Sequence, residues 1–262
     1  MGWLDKLLGK TDPASKSGPQ ARSEPDPAFP KTPIIATVQI PDAAEGESGA
    51  YGDQPLRKQW AESVLAAEGV PVNATLPMIE SEAEVVLRSP REIADRLRAL
   101  SIIAARGGGL SEAQTRGFIA ERDIGPHLTP AERAFLDTPE PSDHDNMQFS
   151  WRNEAAWVLF WALGHVDHPL GPPRDICDVD AMTDAVINMP DLEGAPPRSA
   201  NDVLNEADLI YRYHWAVRQA GIDGKPPPAG LHPGVVMERH HALNWLIGYG
   251  DNADWDEVGT ET

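Results

Sequence analysis

The sequence predicts a predominantly α fold, in which a single multi-helix globular domain follows a disordered segment rich in proline and glycine. Three observations predict this class. Helix-capping signatures recur after residue 57, three long segments are apolar on more than one helical side, and convincing alternating strand patterns are few. The 262 residues are enough for one large hydrophobic core.

The N-terminal part, residues 1–56, is predicted to be an amphipathic tip followed by a flexible linker. Residues 1–10 fit about two turns of helix, which could contact a membrane surface or a partner, or dock on the protein itself. The apolar side of this tip consists of Trp3, Leu4, Leu7 and Leu8. Proline, glycine and serine mark the linker from residue 11, and its segment 33–41, PIIATVQIP, predicts a short strand or an extended segment.

The helical domain is predicted over residues 57–262, and its first half consists of short capped helices. One helix ends at Gly69. Three more begin where Ser or Thr is followed three residues later by Glu or Gln, because these side chains satisfy amide groups that an uncapped helix start leaves bare. The three starts are Ser89 with Glu92, Ser111 with Gln114, and Thr129 with Glu132. The glycine run 107–109 closes a helix and is interpreted as a connector, not as a phosphate loop.

Three longer helices, apolar on more than one side and therefore central, are predicted in the second half. They span residues 150–164, 199–221 and 233–250. The first is predicted to begin at the cap Ser150. Six of the eight tryptophans lie between Trp151 and Trp255, where we expect the densest core. The connector 165–198 is predicted to wrap over the bundle and to hold a short helix at 178–189.

The charge of the chain excludes one class of function. Lys and Arg number 22 against 41 Asp and Glu, giving a formal net charge of −19, whereas a nucleic-acid binder needs a basic surplus. Residues 137–262 hold 22 acidic and 7 basic residues, which indicates a solubilising surface or a surface for a basic partner or cation. No apolar run is long enough to span a membrane, and Cys177 is the one cysteine, so we expect a cytoplasmic location.

Ten polar residues on the three central helices stand among apolar neighbours. They are Arg152, Glu154, Asp208, Tyr211, Arg212, His214, Glu238, Arg239, His241 and Asn244. Glu154 lies near tryptophans, so it needs a donor on another helix, with Arg212 and Arg239 as candidates. Asp208 and Arg212 have the spacing of an intrahelical ion pair. Together the ten predict either a structural polar network that ties the helices together or a polar pocket between them.

The patterns for metal binding and catalysis are incomplete. Glu238-x-x-His241 matches one Glu-x-x-His unit, but a di-iron bundle needs two units and two further carboxylates. We therefore expect no metal and no cofactor, with Glu238 and His241 as the alternative metal ligands. Cys177 is predicted to be a small buried residue, since its only basic neighbour in sequence is Arg174. No Gly-x-Ser-x-Gly elbow occurs.

Several segments, in order, resemble the family named domain of unknown function 4272, which is found mainly in bacteria. They are GVPVNATLP (69–77), LRSPREIADRLRAL (87–100), WRNEAAWVLFWALG (151–164), ICDVD (176–180), NEADLIYRYHWAV (205–217), ERHHALNWLIGY (238–249) and WDEVGTET (255–262). The resemblance covers about residues 57–262 and implies no activity and no catalytic residue. It does imply that nine of the ten candidates, all except His241, are motif positions together with Trp215 and Trp245.

The sequence thus predicts a cytoplasmic helical protein that acts by binding a protein partner without catalysing a reaction. The alternative is an enzyme or small-ligand-binding protein with a polar pocket between helices 150–164, 199–221 and 233–250. In that alternative Glu154 or Glu238 is the acid/base group and Arg212 or Arg239 binds an anion. His214 or His241 carries a proton, and a metal ion could assist.

Overall fold

A computed structural model describes residues 53–189 and 191–262. Within these residues the predicted class is confirmed, since the chain forms nine α-helices of eight or more residues and no strand. The predicted amphipathic tip at 1–10 and the predicted strand or extended segment at 33–41 lie outside the described residues. None of the helices in the described part is long and apolar enough to cross a membrane.

The helices pack as a row of neighbours that leads from the N-terminal helix to a group of short helices. They are α1 (Gln54–Ala67), α2 (Pro90–Gly107), α3 (Glu112–Glu121), α4 (Pro130–Asp137), α5 (Asp143–Ser150), α6 (Arg152–Ala162), α7 (Val179–Asn188), α8 (Ala200–Ile222) and α9 (Pro233–Leu246). Helix α1 packs on α8, α8 on α9, α9 on α6, and α6 on α2. On its other side α2 contacts α3 and α5. The three long helices predicted to be central are therefore consecutive members of the row.

The capping signatures in the sequence become capping boxes in the structure. Ser89, Ser111 and Thr129 each accept the amide three residues later, and the Glu or Gln at that position accepts the amide of the cap. Each such cap stabilises its helix by about 1 kcal/mol. Ser199 forms a capping box with Asp202 at the start of α8. Another, at Ser142, opens α5, a helix that the sequence pattern did not predict.

The boundaries of four predicted helices are wrong. The helix predicted to end at Gly69 ends at Ala67. The helix predicted over 150–164 is α6, Arg152–Ala162, because Ser150 ends α5 and its hydroxyl donates to the carbonyl of Met147 instead of capping α6. The helix predicted over 233–250 ends at Leu246, because Gly248 adopts a left-handed φ of +68°. The helix predicted to end at Gly221 continues to Ile222.

The core is one large cluster with a smaller one beside it. The large cluster contains residues of α1, α2, α6, α8 and α9, and Trp161 and Tyr213 are among its largest fully buried side chains. The smaller cluster lies between α2 and the short helices α3 and α4, and includes Ile103, Leu110 and Phe135. The large cluster surrounds most of the polar candidates.

Candidate functional site

The structure divides the ten polar candidates among ion pairs, histidine contacts and groups that line a pocket. Seven of the ten are buried. A buried charge without a partner is costly, so the partners of each side chain decide what it can do.

Glu154 connects α6 to α9 and to the chain before α7. Its Oε2 lies 3.4 Å from Nε of Arg239, and its Oε1 accepts the backbone amide of Cys177 at 2.6 Å. Arg239 also donates to the carbonyls of Leu170 and Gly171, each at 3.2 Å. Arg239 is one of the two donors that the sequence offered to Glu154. The pair holds the connector after α6 against the helices.

Arg152 and Glu238 form the second ion pair between α6 and α9. Nη1 of Arg152 donates to both carboxylate oxygens of Glu238, at 3.0 and 2.9 Å. The Glu238 side chain is only 3% exposed, whereas that of Arg152 is 28% exposed. Burial raises the pKa of Glu238, and the Arg152 guanidinium opposes that shift. Both oxygens of Glu238 are thus used in a structural contact.

Asp208 and Arg212 form the predicted ion pair within α8. Nε and Nη2 of Arg212 donate to the two oxygens of Asp208 at 2.9 and 2.8 Å, and both side chains are 1% exposed. Nη1 of Arg212 lies 3.6 Å from the Glu62 carboxylate on α1. Nη2 also donates to the carbonyl of Pro77, at 3.3 Å. Arg212 therefore joins two helices and the segment that follows α1.

That segment, residues 74–80, has no helix or strand of its own, and side chains hold its carbonyl groups. Lys58 donates to the carbonyls of Ala74 and Leu76, and Gln54 donates to that of Ile79. Arg57 donates to the carbonyl of Glu80 at 3.1 Å. Together with the Arg212 contact, these bonds fix the segment beside α1 and α8, where it forms one wall of a pocket.

His214 of α8 contacts His240 of α9, a residue that sequence reasoning missed. Their Nδ1 atoms are 2.8 Å apart, and their rings are nearly perpendicular. Burial lowers the pKa of His214 to about 4 and that of His240 to about 3, so both rings are neutral at pH 7. The sequence does contain an indication of this contact. His240 lies four residues after Val236 and four before Asn244, so the three side chains share one side of the helix.

His241 and Glu238 do not converge on a metal site. Nε2 of His241 lies 3.0 Å from the carbonyl oxygen of Trp255, and the Glu238 carboxylate is bonded to Arg152. In the described part of the chain, no group of three or more His, Cys, Asp or Glu side chains lies together as metal ligands would. Cys177 is buried as predicted, and burial raises the pKa of its thiol.

A pocket of about 360 Å³ lies between the 74–80 segment, α8, α9 and residues 261–262. We call it the α8–α9 pocket. Its polar lining includes Tyr211, His240 and Asn244, and its apolar lining includes Pro77 and Ile247. Nδ2 of Asn244 donates to the carbonyl of Gly259 at 2.8 Å, which fixes the amide orientation. A volume of this size and a few polar groups in an apolar lining are typical of small-molecule sites.

An acidic cleft of about 590 Å³ adjoins the α8–α9 pocket. The two share Glu80, Ile247, Tyr249 and Glu261. Glu84, Asp251 and Glu257 also line the cleft, whereas no Lys or Arg of residues 53–189 and 191–262 lines either cavity. These carboxylates make the shared mouth of the two cavities negative.

A third cavity, of about 550 Å³, lies between α2 and Trp255. Its two arginines are engaged by the protein. Arg88 donates to the carbonyls of Trp245 and Ala253, and Arg96 pairs with the Glu132 carboxylate. The guanidinium of Arg96 lies 5.1 Å from the centre of the Trp255 ring. These contacts connect the chain after α9 to α2. The arginines of this cavity therefore hold parts of the protein together.

Of the ten candidates, the structure brings only Tyr211 and Asn244 to the α8–α9 pocket. His214 reaches it indirectly through His240, and Arg212 through the carbonyl of Pro77. Arg152, Glu154, Glu238 and Arg239 lie in the ion pairs between α6 and α9.

Residues 57–258 match the model of a protein family described as Domain of unknown function (DUF4272). The matched range includes all ten candidates and His240. No curated protein and no solved structure matches the chain.

Proposed function

The chain belongs to the DUF4272 family, and from its geometry we propose that it acts by binding a ligand in the α8–α9 pocket, without catalysing a reaction. The observation that carries the proposal is that the charged and the uncharged candidates occupy different places in the fold. The charged candidates neutralise one another inside the fold, whereas the two candidates that line the pocket, Tyr211 and Asn244, are uncharged and lie there beside the neutral imidazole of His240.

The chemistry of these groups favours binding over proton transfer. A general acid or base works best when its pKa is near the working pH. Burial raises the pKa of Tyr211 and lowers that of His240 to about 3, so both groups keep one protonation state near pH 7. Asn244 does not titrate. These groups can position a ligand by hydrogen bonds.

We extend the proposal to location and partners. A cytoplasmic location is supported by the single cysteine, which is a buried thiol with a raised pKa and not part of a disulfide. A protein partner remains a prediction, and so does a contact of residues 1–10 with a membrane or a partner. The acidic balance of the chain argues against nucleic acid in either role.

A fragment screen tests the proposal. Ligand-observed NMR on the full chain would use small amines, alcohols, amides and carboxylic acids. We expect some fragments to bind the wild type and to lose binding in Asn244→Leu, which removes a polar group from the lining, and in Met78→Trp, which fills the mouth. Met78 is 37% exposed, so the larger side chain need not disturb the core.

The matched control is Ile176→Trp, which adds similar bulk at a side chain that is 66% exposed and lines none of the cavities described above. It should bind fragments like the wild type. Fragments that bind all variants equally would contradict the proposal. A fragment that the wild type converts into another compound and Asn244→Leu does not would show an enzyme instead.

A further inference from the structure

We propose that the α8–α9 pocket selects an organic cation, an ammonium group attached to a small apolar body. This inference rests on the proposed function and names the class of ligand for the same pocket. It is carried by unpartnered acceptors inside the pocket, by the sign of the charge at its mouth, and by the apolar and aromatic walls between them.

The floor of the pocket presents two buried polar side chains with unused atoms. His240 is 1% exposed and Asn244 is 6% exposed. His240 uses Nδ1 toward His214, so Nε2 lies on the opposite edge of the ring, and among the described residues it has no hydrogen-bond partner. Asn244 donates through Nδ2 to the carbonyl of Gly259. Its Oδ1 has no hydrogen-bond partner among the described residues. Although the two side chains are buried as a whole, neither of these atoms is sealed from the pocket, so both can accept a hydrogen bond from a ligand there.

The atoms at the floor suit a donor. Oδ1 of Asn244 is an acceptor, since its amide nitrogen already donates to the carbonyl of Gly259. When His240 donates its Nδ1 hydrogen to His214, its Nε2 presents a lone pair to the pocket. An ammonium or other N–H group can therefore donate to acceptors in this pocket, and the two residues that carry them lie one helical turn apart on α9.

The charge at the mouth has one sign. Glu80 and Glu261 line the pocket, and the adjoining cleft adds the carboxylates of Glu84, Asp251 and Glu257. Three arginines lie nearby, and none of them lines the pocket. Arg57 pairs with Asp53 and donates to the carbonyl of Glu80. Arg212 is paired with Asp208, and Arg218 donates to the Thr262 hydroxyl. A cation is thus attracted and an anion repelled.

The walls suit the apolar part of such a cation. Pro77, Met78, Ile79 and Ile247 line the pocket together with the rings of Tyr211 and Tyr249. Tyrosine rings attract cations through their faces. The wall formed by the 74–80 segment is already held by donors from α1 and α8, so little ordering is needed on binding.

The same group could come from a free amine or from a lysine side chain of a basic protein segment, and the experiment separates these sources. The first arm uses three probes of similar shape, phenethylamine, 2-phenylethanol and 3-phenylpropanoate, titrated by NMR into the full chain. We expect the amine to bind roughly fivefold more tightly than the alcohol, and the carboxylate to bind most weakly. The second arm titrates Nα-acetyl-lysine methylamide, which should match phenethylamine only if lysine side chains are the source.

The double variant Glu80→Gln/Glu261→Gln should remove the preference for the amine while it leaves binding of the alcohol unchanged. Glu121→Gln/Glu140→Gln is the matched control, because it changes the net charge equally at two exposed residues that line none of the cavities described. That control should keep the preference, and thermal unfolding of both variants checks their folding.

Two outcomes would overturn the inference. The alcohol or the carboxylate could bind as tightly as the amine, or the control could lose the preference as fully as the Glu80/Glu261 variant. In both cases fragments that depend on Asn244 would still support the proposed binding function. If no fragment depends on the pocket, the proposed function fails first.

Discussion

Glu154 shows how a single buried carboxylate can join three parts of the chain. Its two oxygens serve different partners, the Arg239 guanidinium and the Cys177 amide, and the residue is 2% exposed. Such a pair adds little net stability when it is compared with a well-packed apolar pair. Loss of one partner nevertheless lowers the stability of the fold strongly, because the other charge remains buried without a partner.

We therefore expect Glu154→Leu to lower the free energy of unfolding by about 3–5 kcal/mol, since it leaves the Arg239 charge unpaired in the core. Urea unfolding followed by circular dichroism measures the change. The double variant Glu154→Leu/Arg239→Leu should recover part of the loss, because it removes the stranded charge as well. A single variant as stable as the wild type would mean that Arg239 is neutralised by other groups.

At the scale of residues, sequence reasoning was strongest for pairs defined by helical spacing. Asp208 and Arg212 are four apart on one helix, so their contact needs no knowledge of the fold. Glu154 and Arg239 lie on different helices, and the sequence could name the need for a donor but not choose between Arg212 and Arg239. His240 was missed because its partner is on α8, and helix-to-helix register is not readable from one sequence.

At the scale of elements, the crossing of α2 and α5 depends on the absence of one side chain. A Cβ atom added at Gly107 would lie 2.6 Å from the carbonyl oxygen of Asn146 and 2.7 Å from the amide nitrogen of Ser150. Both are backbone atoms and cannot rotate away. The glycine that ends α2 therefore also lets α5 approach closely.

Gly107→Ala should lower the free energy of unfolding by about 1–3 kcal/mol, because the two helices must move apart. Gly117→Ala is the matched control, since Gly117 is also helical and no atom lies within 4 Å of its added Cβ. It should stabilise the protein by up to about 1 kcal/mol. Thermal unfolding of the two variants side by side measures this contrast, and equal effects would argue against the close crossing.

The starts of the helices were more predictable than their ends. A cap is a local pattern of a few residues, which is why Ser89, Ser111 and Thr129 were identified from sequence alone. Ser150 has the same chemistry but is the last residue of α5, a helix that packs on α2, so tertiary contacts decide whether it ends one helix or caps the next. The end of α9 depends on the conformation of Gly248, although Gly250 offered an equally good stop signal.

At the scale of the whole molecule, neutral histidines couple folding to pH. The folded-state pKa values of His214, His240 and His241 are lowered by burial to about 4, 3 and 4. In the unfolded chain they are near 6.5. At pH values between these two, the unfolded chain binds more protons than the folded chain. The stability that the neutral histidines preserve is therefore complete above about pH 6.5 and is lost as the pH falls toward 4.

Two carboxyl groups with raised pKa values act in the opposite direction, those of Glu206 and Glu238. Burial raises the pKa of Glu206 to about 7 and also raises that of Glu238. The contribution of Glu206 is complete below its unfolded value of about 4.5 and is lost as the pH rises through 7. We expect the three histidines to outweigh these groups, so that the protein is less stable at pH 5 than at pH 7.

The variant His240→Gln isolates the contribution of one histidine. Between pH 5 and 6 its unfolding free energy should depend on pH less steeply than that of the wild type, by about 1.2 kcal/mol per pH unit. Urea unfolding at several pH values gives both slopes, whatever the absolute stability of the variant. An unchanged slope would mean that His240 is protonated in the folded state.

The 74–80 segment combines a fixed position with open amides. Its carbonyl oxygens accept bonds from Gln54, Arg57, Lys58 and Arg212. Among the described residues, by contrast, the amides of Met78, Ile79 and Glu80 donate no hydrogen bond. This wall of the pocket can therefore exchange its amide hydrogens with water rapidly while its shape persists.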